Sequence, residues 1–221
     1  MWRADKMKYL DQTLAIPAEN IVCDETLLGA AERGDGEEVL RVWESPETFV
    51  VVGYGNRIET EVNEAACAVR NIPVLRRCSG GGTVVQGQGC LSYALVLKIA
   101  DNAELCNVTG ANRFIMERNR AAIEAEVRGQ GSGGRVEVQG HTDLTLAGLK
   151  FSGNSQRRRR NFILFHGTFL LNFDLALISE LLPMPSRQPC YREARGHEKF
   201  LTNLPLPTMV VKAALRRAWG A

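Results

Sequence analysis

Apolar residues recur along the chain with two different periods, and this difference predicts both strands and helices. In CLSYALVLKI, residues 90–99, large apolar side chains alternate with serine, alanine and lysine. A period of two is typical of a strand with one buried face. Residues 17–33 and 108–128 instead predict helices, and glycine-rich residues follow both.

The segments between these elements complete the first half of the chain. VLRVWES and TFVVVGYG predict two strands joined by a hairpin-like connection, SPET. ETEVNEAACAVRNI predicts a second helix, and PVLRR predicts a short strand that leads into a run of glycines.

In the second half, two β-rich stretches, residues 136–156 and 161–173, flank four consecutive arginines. Helices are predicted near 174–182 and around 207–219. Because several strands follow one another through short turns while helices lie between others, we expect an α+β fold, with a central mixed or antiparallel sheet flanked by helices. No repeat or linker stands out, so residues 1–221 are predicted to form a single domain.

Composition and charge narrow the class of protein. Hydrophobic residues make up 45% and charged residues 24%, which is ordinary for a globular protein, and a net charge of +2 does not indicate nucleic-acid binding. No apolar run approaches the length of a membrane span, and the first residues lack the apolar core of a signal peptide. The six cysteines include no CxxC pair, so neither a zinc site nor a redox motif is indicated. We expect a cytoplasmic protein with reduced thiols, without nucleic-acid or membrane partners.

Three consecutive glycines, 80–82, follow an arginine pair in RRCSGGGTVV. Glycine loses more conformational freedom on folding than any other residue, so the run indicates positive φ angles or close approach of the backbone to another group. It matches neither a P-loop nor a dinucleotide-binding motif. It forms either a tight turn or a surface of backbone N–H groups for an acyl chain or a phosphate oxygen. Arg76 and Arg77 favour the second alternative, because guanidinium groups bind phosphate and carboxylate; alternation would direct one inward and the other outward.

A single lysine lies among small residues in TDLTLAGLKFSGNSQ. On a strand over 149–155, Lys150, Ser152 and Asn154 share one face. A lone lysine is commonly a solvated side chain, but these small neighbours would allow a ligand to approach closely. Asp143, earlier in the same segment, either begins a strand as a turn residue or binds a magnesium ion or a ribose hydroxyl.

The stretch FILFHGTFLL places His166 and Thr168 on one strand face, with Gly167 between them and apolar residues on the other face. The histidine is either a hydrogen-bonded core residue or part of a polar pocket lining. The four arginines 157–160 form either a solvated hairpin tip or a site for a nucleotide phosphate or an acidic protein.

In order and spacing, RRCSGGGTVV, GCLSYAL, DLTLAGLKFSGNSQ, HGTFLLNFDL and FLTNL resemble the catalytic domain of lipoate–protein ligases, within the biotin/lipoate ligase superfamily. NIVCDETLL and VWESPETFVVVGYGN are similar to the family's first helix and strands, so the resemblance covers roughly residues 18–205. It implies the mixed sheet with flanking helices that biotin ligases share with class II aminoacyl-tRNA synthetases.

The resemblance also implies a reaction and its participants. Lipoate, or octanoate, would react with ATP and Mg²⁺ to give an acyl-adenylate, and a lysine of a lipoyl domain would then take the acyl group. The acceptors would be lipoyl domains of 2-oxoacid dehydrogenases or H-type proteins of glycine cleavage. Lys150 matches the catalytic lysine that contacts the adenylate, and Asp143 would contact Mg²⁺ or the acceptor lysine. The implied substrate-binding residues are Arg77, Ser79, Gly80, Gly81, Gly82, Thr83, Asp143, Ser152, Gly153, His166, Gly167 and Thr168.

Departures from the family pattern keep alternatives open. Gln86 replaces a histidine that many ligases have, the biotin-ligase signature is not found, and the C-terminal accessory domain of larger ligases is expected to be absent. Activation would then require a separate accessory subunit, or the protein would perform transfer only. One alternative is an octanoyltransferase that moves octanoate from acyl carrier protein through Cys190, whose pKa nearby arginines could lower. Another is a non-catalytic lipoyl-binding module.

Overall fold

The computed structural model describes residues 7–131 and 134–221, which form ten strands and seven α-helices. The strands are β1 (Lys8–Asp11), β2 (Val39–Trp43), β3 (Phe49–Val52), β4 (Val74–Arg76), β5 (Val84–Gln86), β6 (Cys90–Lys98), β7 (Val136–Gln139), β8 (Asp143–Leu146), β9 (Leu149–Arg158) and β10 (Phe162–Leu170). The helices are α1 (Pro17–Arg33), α2 (Ile58–Glu61), α3 (Glu64–Val69), α4 (Val108–Gly129), α5 (Leu175–Leu181), α6 (His197–Phe200) and α7 (Thr208–Trp219).

The strands form two sheets. Seven strands pair in the order β1-β2-β6-β10-β9-β8-β7, and three pair in the order β4-β3-β5. In the large sheet β1 is parallel to β2 and every other pair is antiparallel; in the small sheet β3 is parallel to β4 and antiparallel to β5. The predicted α+β fold with a mixed sheet and flanking helices is confirmed.

Helices cover both faces of the large sheet. The main apolar cluster lies between that sheet and α4 and α7, and a smaller cluster lies between α1 and the opposite face. Leu95 belongs to the first cluster and Ala94 to the second. The prediction that residues 90–99 form a strand with only one buried face is therefore wrong, because α1 covers the face that carries the small residues.

Two other local predictions are wrong. SPET does not join a hairpin, because β2 pairs with β1 and β6 in the large sheet while β3 begins the small sheet. The single helix predicted over ETEVNEAACAVRNI is two short helices, since Val62 has an extended backbone and the side chain of Asn63 caps α3 by accepting from the Ala66 N–H. In addition, β9 continues to Arg158, so only Arg159 and Arg160 lie in the turn.

Within the two described ranges, no helix is long and apolar enough to cross a membrane.

A buried ion pair fixes α1 to the large sheet. Arg41 of β2 is completely buried, and its guanidinium donates to the carboxylate of Asp24 (2.6 Å) and to the side-chain oxygen of Asn20 (2.6 Å). Asp24 and Asn20 lie about one turn apart on α1, so their hydrogen bonds with Arg41 fix the position of the helix against β2. A buried guanidinium without a partner is strongly destabilising, because nothing then compensates its lost hydration.

We therefore expect Asp24→Ala to lower the free energy of unfolding by about 3–5 kcal/mol, the usual loss when one partner of a buried pair is removed. Urea unfolding measures it. Asp35→Ala is the matched control, because Asp35 pairs with Arg33 on the surface (3.6 Å) and should change stability by less than about 1 kcal/mol. Equal losses in the two variants would contradict the anchoring role.

Candidate active site

A cavity of about 900 Å³ lies beside the large sheet. Its lining comes from β8, β9 and β10, from β5 and the glycine loop (residues 78–83), and from the segment 183–192, which we call the strap. Most of the sequence motifs that suggested chemistry therefore meet in one place.

The register of the large sheet places one row of cavity residues side by side across five strands. Trp43, Ser92, Thr168, Gly153 and Asp143 are successive cross-strand partners. Directly opposed residues lie on the same face, and neighbouring strands are about 4.8 Å apart, so the row spans roughly 19 Å. The cavity is long enough to hold an extended substrate.

Lys150 lies at the Asp143 end of this row. Its ammonium group is 2.8 Å from the Asp143 Oδ1 atom. The side chain passes over Gly153, where an added Cβ would be 2.9 Å from the Lys150 Nζ atom. Glycine at this position therefore leaves room for the lysine, which is one quarter exposed and borders the cavity.

The predicted shared face of Lys150, Ser152 and Asn154 is only partly correct. The pairing of β9 with β8 shifts at a bulge, which leaves Phe151 as an extra residue. After it, Asn154 contacts the hydroxyls of Ser152 (3.2 Å) and of the buried Tyr93 (2.6 Å), on the packed side of the sheet. Lys150 instead lies over the cavity side, as its contact with Asp143 shows.

Asp143 uses both of its carboxylate oxygens. Oδ1 binds the Lys150 ammonium, and Oδ2 accepts a hydrogen bond of 2.7 Å from the Tyr191 hydroxyl. Across the described part of the chain, no three His, Cys, Asp or Glu residues are grouped as metal ligands would be. Magnesium is usually held by one or two carboxylates together with substrate phosphates, so a contact between Asp143 and Mg²⁺ stays a prediction.

The conformation of the glycine loop is held by hydrogen bonds from Arg77. This buried guanidinium donates to the carbonyls of Gly80 (2.6 Å) and Gly82 (2.7 Å) and to the Ser79 hydroxyl (3.1 Å). Burial lowers the pKa of Arg77 to about 10, which still leaves it charged at neutral pH. Its role toward a phosphate or carboxylate stays a prediction, because here its donors hold the loop.

Gly81 has a φ of 84°, in the left-handed region, which favours glycine. Its carbonyl also lies close to Gly53 outside the loop, where an added Cβ would be 2.2 Å from the Gly81 oxygen. At Gly80 and Gly82 an added Cβ would meet nothing within 4 Å. Packing does not require glycine at these two positions, which is consistent with a requirement for close ligand approach.

Arg76 and Arg77 point in opposite directions, as alternation predicts. Arg76 is exposed, and its guanidinium donates to the carbonyls of Gly53 and Asn56 (both 2.8 Å). Arg77 therefore donates to carbonyls within the glycine loop, and Arg76 donates to carbonyls outside it.

His166 is both a pocket residue and a hydrogen-bonded one, so the two alternatives left open by the sequence hold together. Its Nε2 atom is 2.6 Å from the Ser79 Oγ atom, which is also 2.8 Å from the Ser155 Oγ atom. Its Nδ1 atom lies 3.8 Å from the Asp24 carboxylate. Hydrogen bonds thus link the histidine to the glycine loop and to β9, and the Asp24 carboxylate of α1 lies close to its other nitrogen.

The other predicted substrate contacts divide into two groups. Gly81, Gly82, Thr83, Ser152, Gly153, Gly167 and Thr168 line the cavity, whereas Ser79 and Gly80 do not. Gly167 has a structural reason to be glycine, because an added Cβ would be 1.8 Å from the Asn154 Oδ1 atom.

Apolar and polar groups both line the cavity. Its apolar lining includes Val51, Leu170 and Ile178. Four buried polar atoms of lining residues have no hydrogen-bond partner among the described residues: Trp43 Nε1, Thr83 Oγ1, Gln86 Oε1 and Ser92 Oγ. The cavity can therefore hold an apolar chain and still offer hydrogen bonds to a bound molecule.

Cys190 is exposed and lines the cavity next to Tyr191. Of the three arginines expected to lower its pKa, Arg187 is exposed at the cavity, whereas Arg192 and Arg195 have other contacts. Arg192 donates to the Arg195 carbonyl (2.9 Å) and Arg195 to the Tyr191 carbonyl (2.8 Å), and both guanidinium groups stack on the Phe200 ring. No side chain in 7–131 or 134–221 donates a hydrogen bond to the Cys190 sulfur.

Sequence reasoning missed Asp24, Ser155 and Tyr191. One signal was available: Asn20 and Asp24 are four residues apart, so they interrupt a single face of α1 with buried polar groups. No local signal marks Tyr191, which meets Asp143 only through the tertiary fold.

The long cavity thus has Lys150 at one end and the glycine loop along its wall, on a mixed sheet flanked by helices. The model of the lipoyl protein ligase A/B catalytic domain matches residues 16–208. The chain belongs to this family.

Some curated relatives are named lipoate-protein ligases and others octanoyltransferases. A probable lipoate-protein ligase A of Mycoplasma pneumoniae is 26% identical over 208 residues, which are 89% of this chain and 57% of that protein. The octanoyltransferase LipM of Bacillus subtilis is 28% identical over 206 residues, which are 86% of this chain and 74% of that protein. The chain thus spans little more than half the length of the first relative.

Solved structures show the same fold. A lipoate-protein ligase A bound with ATP has a TM-score of 0.77 at 20% identity, covering 97% of this chain and 84% of that one. A bi-partite lipoate protein ligase of Thermoplasma acidophilum has a TM-score of 0.72 at 19% identity, covering 97% and 82%. Biotin protein ligase of Leishmania major gives 0.53 at 12% identity, covering 97% and 73%. The predicted biotin/lipoate ligase fold is confirmed.

The contacts of Arg77 generate a prediction about the glycine loop. Arg77→Lys keeps the charge but cannot reach the loop carbonyls with a planar fork. Because hydrogen bonds to charged groups contribute about 1.5–3 kcal/mol, the amides of residues 79–83 should exchange with deuterium at least about tenfold faster. Arg57→Lys, on the exposed surface, is the control. Unchanged exchange in Arg77→Lys would show that the loop does not depend on this guanidinium.

Proposed function

We propose that the protein activates lipoate or octanoate with ATP to an acyl-adenylate and transfers the acyl group to a lysine of a lipoyl domain. One observation carries the proposal: a lysine held over a glycine, at one end of a long cavity whose lining includes apolar side chains. The carboxyl end of the acid would lie beside Lys150, with its chain along the row toward Trp43.

The chemistry needs a fixed cation at that point. In the first step a carboxylate oxygen attacks the α-phosphorus of ATP, the bond to the bridging oxygen breaks, and pyrophosphate leaves. Both reactants are anions, so the Lys150 ammonium offsets their repulsion and stabilises the charge that develops on the α-phosphate oxygens. The ion pair with Asp143 holds the ammonium in place before the substrates bind, which reduces the reorganisation needed during reaction.

In the second step the acceptor amine attacks the acyl carbon, the bond to AMP breaks, and the amine proton passes to solvent. The adenylate is itself the activated species, so no protein nucleophile is needed. Gly82, which lines the cavity and where no packing excludes a side chain, would let the acyl-phosphate lie close to backbone N–H groups.

The relatives and neighbours support each participant. One neighbour binds ATP, another was solved with bound lipoic acid, and the bi-partite ligase of Thermoplasma acidophilum was studied with its E2 lipoyl domain. We propose lipoyl domains of 2-oxoacid dehydrogenases, or H-type proteins, as acceptors. We further propose that residues 1–221 act as one catalytic domain, in the cytoplasm where ATP is available.

The proposal is tested by the intact mass of a purified lipoyl domain after incubation with the protein, ATP and lipoate. We expect a lipoyl mass gain that requires ATP. Lys150→Met should slow it by about 100-fold or more, because it removes the cation from the developing charge. Lys212→Met is the matched control, since that lysine pairs with Asp11 (2.8 Å) outside the cavity, and it should retain full activity. A gain that is independent of ATP would overturn the ligase assignment.

A second candidate is octanoyl transfer from acyl carrier protein through a Cys190 thioester. Two observations favour it: Cys190 is exposed at the cavity, and several relatives, including the LipM of Bacillus subtilis, are octanoyltransferases. In this reaction the Cys190 sulfur would displace the carrier thiol, and the acceptor amine would then displace the sulfur.

Cys190→Ala separates the two candidates. A ligase should keep its rate within about twofold, because its mechanism has no acyl-enzyme. A transferase should lose all octanoyl transfer in the ATP-free reaction, together with the octanoyl mass on the protein itself. Cys106→Ala, another exposed cysteine, is the control and should change neither reaction.

A further inference from the structure

One hydroxyl of the strap reaches the machinery around Lys150. The Tyr191 O–H donates to the Asp143 Oδ2 atom over 2.7 Å, while Oδ1 of the same carboxylate binds the Lys150 ammonium over 2.8 Å. Two side chains of the adjacent strands β8 and β9 and one side chain of the strap are thus connected in series.

The direction of the Tyr191 hydroxyl is set by packing. The ring centroid lies 5.2 Å from that of Phe200, and the Tyr191 carbonyl accepts from Arg195. On the other side the ring lies against Gly140, where an added Cβ would be 3.5 Å from the ring edge. The phenol therefore has little freedom to turn away from the carboxylate.

The phenol is also held in its donor form. Burial raises the pKa of Tyr191, and the neighbouring Asp143 carboxylate raises this pKa further. A phenol that stays protonated donates its hydrogen to the carboxylate throughout the neutral pH range.

A carboxylate with a different donor on each oxygen cannot rotate freely. This matters for Lys150, because an ammonium group on a flexible four-carbon stem has no preferred direction of its own. The Lys150 backbone is fixed as well, since its carbonyl accepts from the Thr202 N–H (2.9 Å). The remaining freedom is that of the side chain, which only the carboxylate limits among the described polar contacts.

We propose that Tyr191 is a positioning residue for Lys150, acting through Asp143. The strap must then lie against the cavity for the Lys150 ammonium to be directed at the reacting atoms. The catalytic consequence rests on the proposed function, whereas the placement of the lysine does not.

A double-mutant cycle with two readouts tests this proposal. The first readout needs no activity: ¹⁵N relaxation of the lysine ammonium groups in protein labelled at its six lysines. Lys150 should be rigid in the wild type and mobile in Tyr191→Phe. In an Asp143→Ala background Lys150 is already mobile, and Tyr191→Phe should add nothing. Lys212, which is paired with Asp11, is the internal control and should not change.

The second readout is the rate of pyrophosphate release. Loss of one hydrogen bond to a charged group predicts that Tyr191→Phe lowers kcat about tenfold, with the KM for ATP within about twofold. In the Asp143→Ala background the same substitution should have no further effect. Tyr9→Phe, on the edge strand β1, controls for loss of a hydroxyl.

The outcomes are distinguishable. A rigid Lys150 in Tyr191→Phe, or equal effects of Tyr191→Phe in both backgrounds, would overturn the positioning role. A mobile Lys150 in Tyr191→Phe, together with a wild type that releases no pyrophosphate, would support the positioning role while rejecting the ligase function. Tyr191→Phe retains the ring that packs on Phe200, and its melting temperature, measured beside that of Tyr9→Phe, shows whether folding contributes.

Discussion

The cavity depends on the contact between the Arg77 guanidinium and the carbonyls of the glycine loop. Three adjacent glycines have many accessible conformations, so the loop alone would have no defined shape. A buried cation needs acceptors to replace its lost hydration, and the nearby carbonyls supply them. The same hydrogen bonds therefore compensate the buried charge for its lost hydration and fix the conformation of the loop. These hydrogen bonds therefore shape one wall of the site.

The chain uses its two kinds of cation differently. Arg41 and Arg77 are buried, and their planar groups bind several fixed acceptors at once, which suits them to hold backbone and helix in place. Lys150 is a point charge with one carboxylate partner, and it retains an open side toward the cavity. The buried arginines thus hold the structure together, whereas the lysine is the cation proposed to act on the substrate.

Helix α1 and the strands around His166 were predictable, because their patterns are local. The cavity residues Lys150, Gly153 and His166 were found through motif order, and register then placed Lys150 and Gly153 together. The false hairpin at SPET arose because strand pairing across distant segments leaves no trace in the turn itself. The bulge at Phe151 reversed the expected faces of Ser152 and Asn154, since one extra residue shifts the alternation. Tyr191 lies 48 residues from Asp143, and only the fold brings them together.

The row from Trp43 to Asp143 runs across the strands, perpendicular to the chain direction of each. Its length is therefore set by how many strands it crosses, and it can change only in steps of one strand, about 4.8 Å each. Under the proposed function, a one-strand difference would change the space for the acid by that step, and smaller differences would depend on the size of the side chain at the end of the row, which here is an indole.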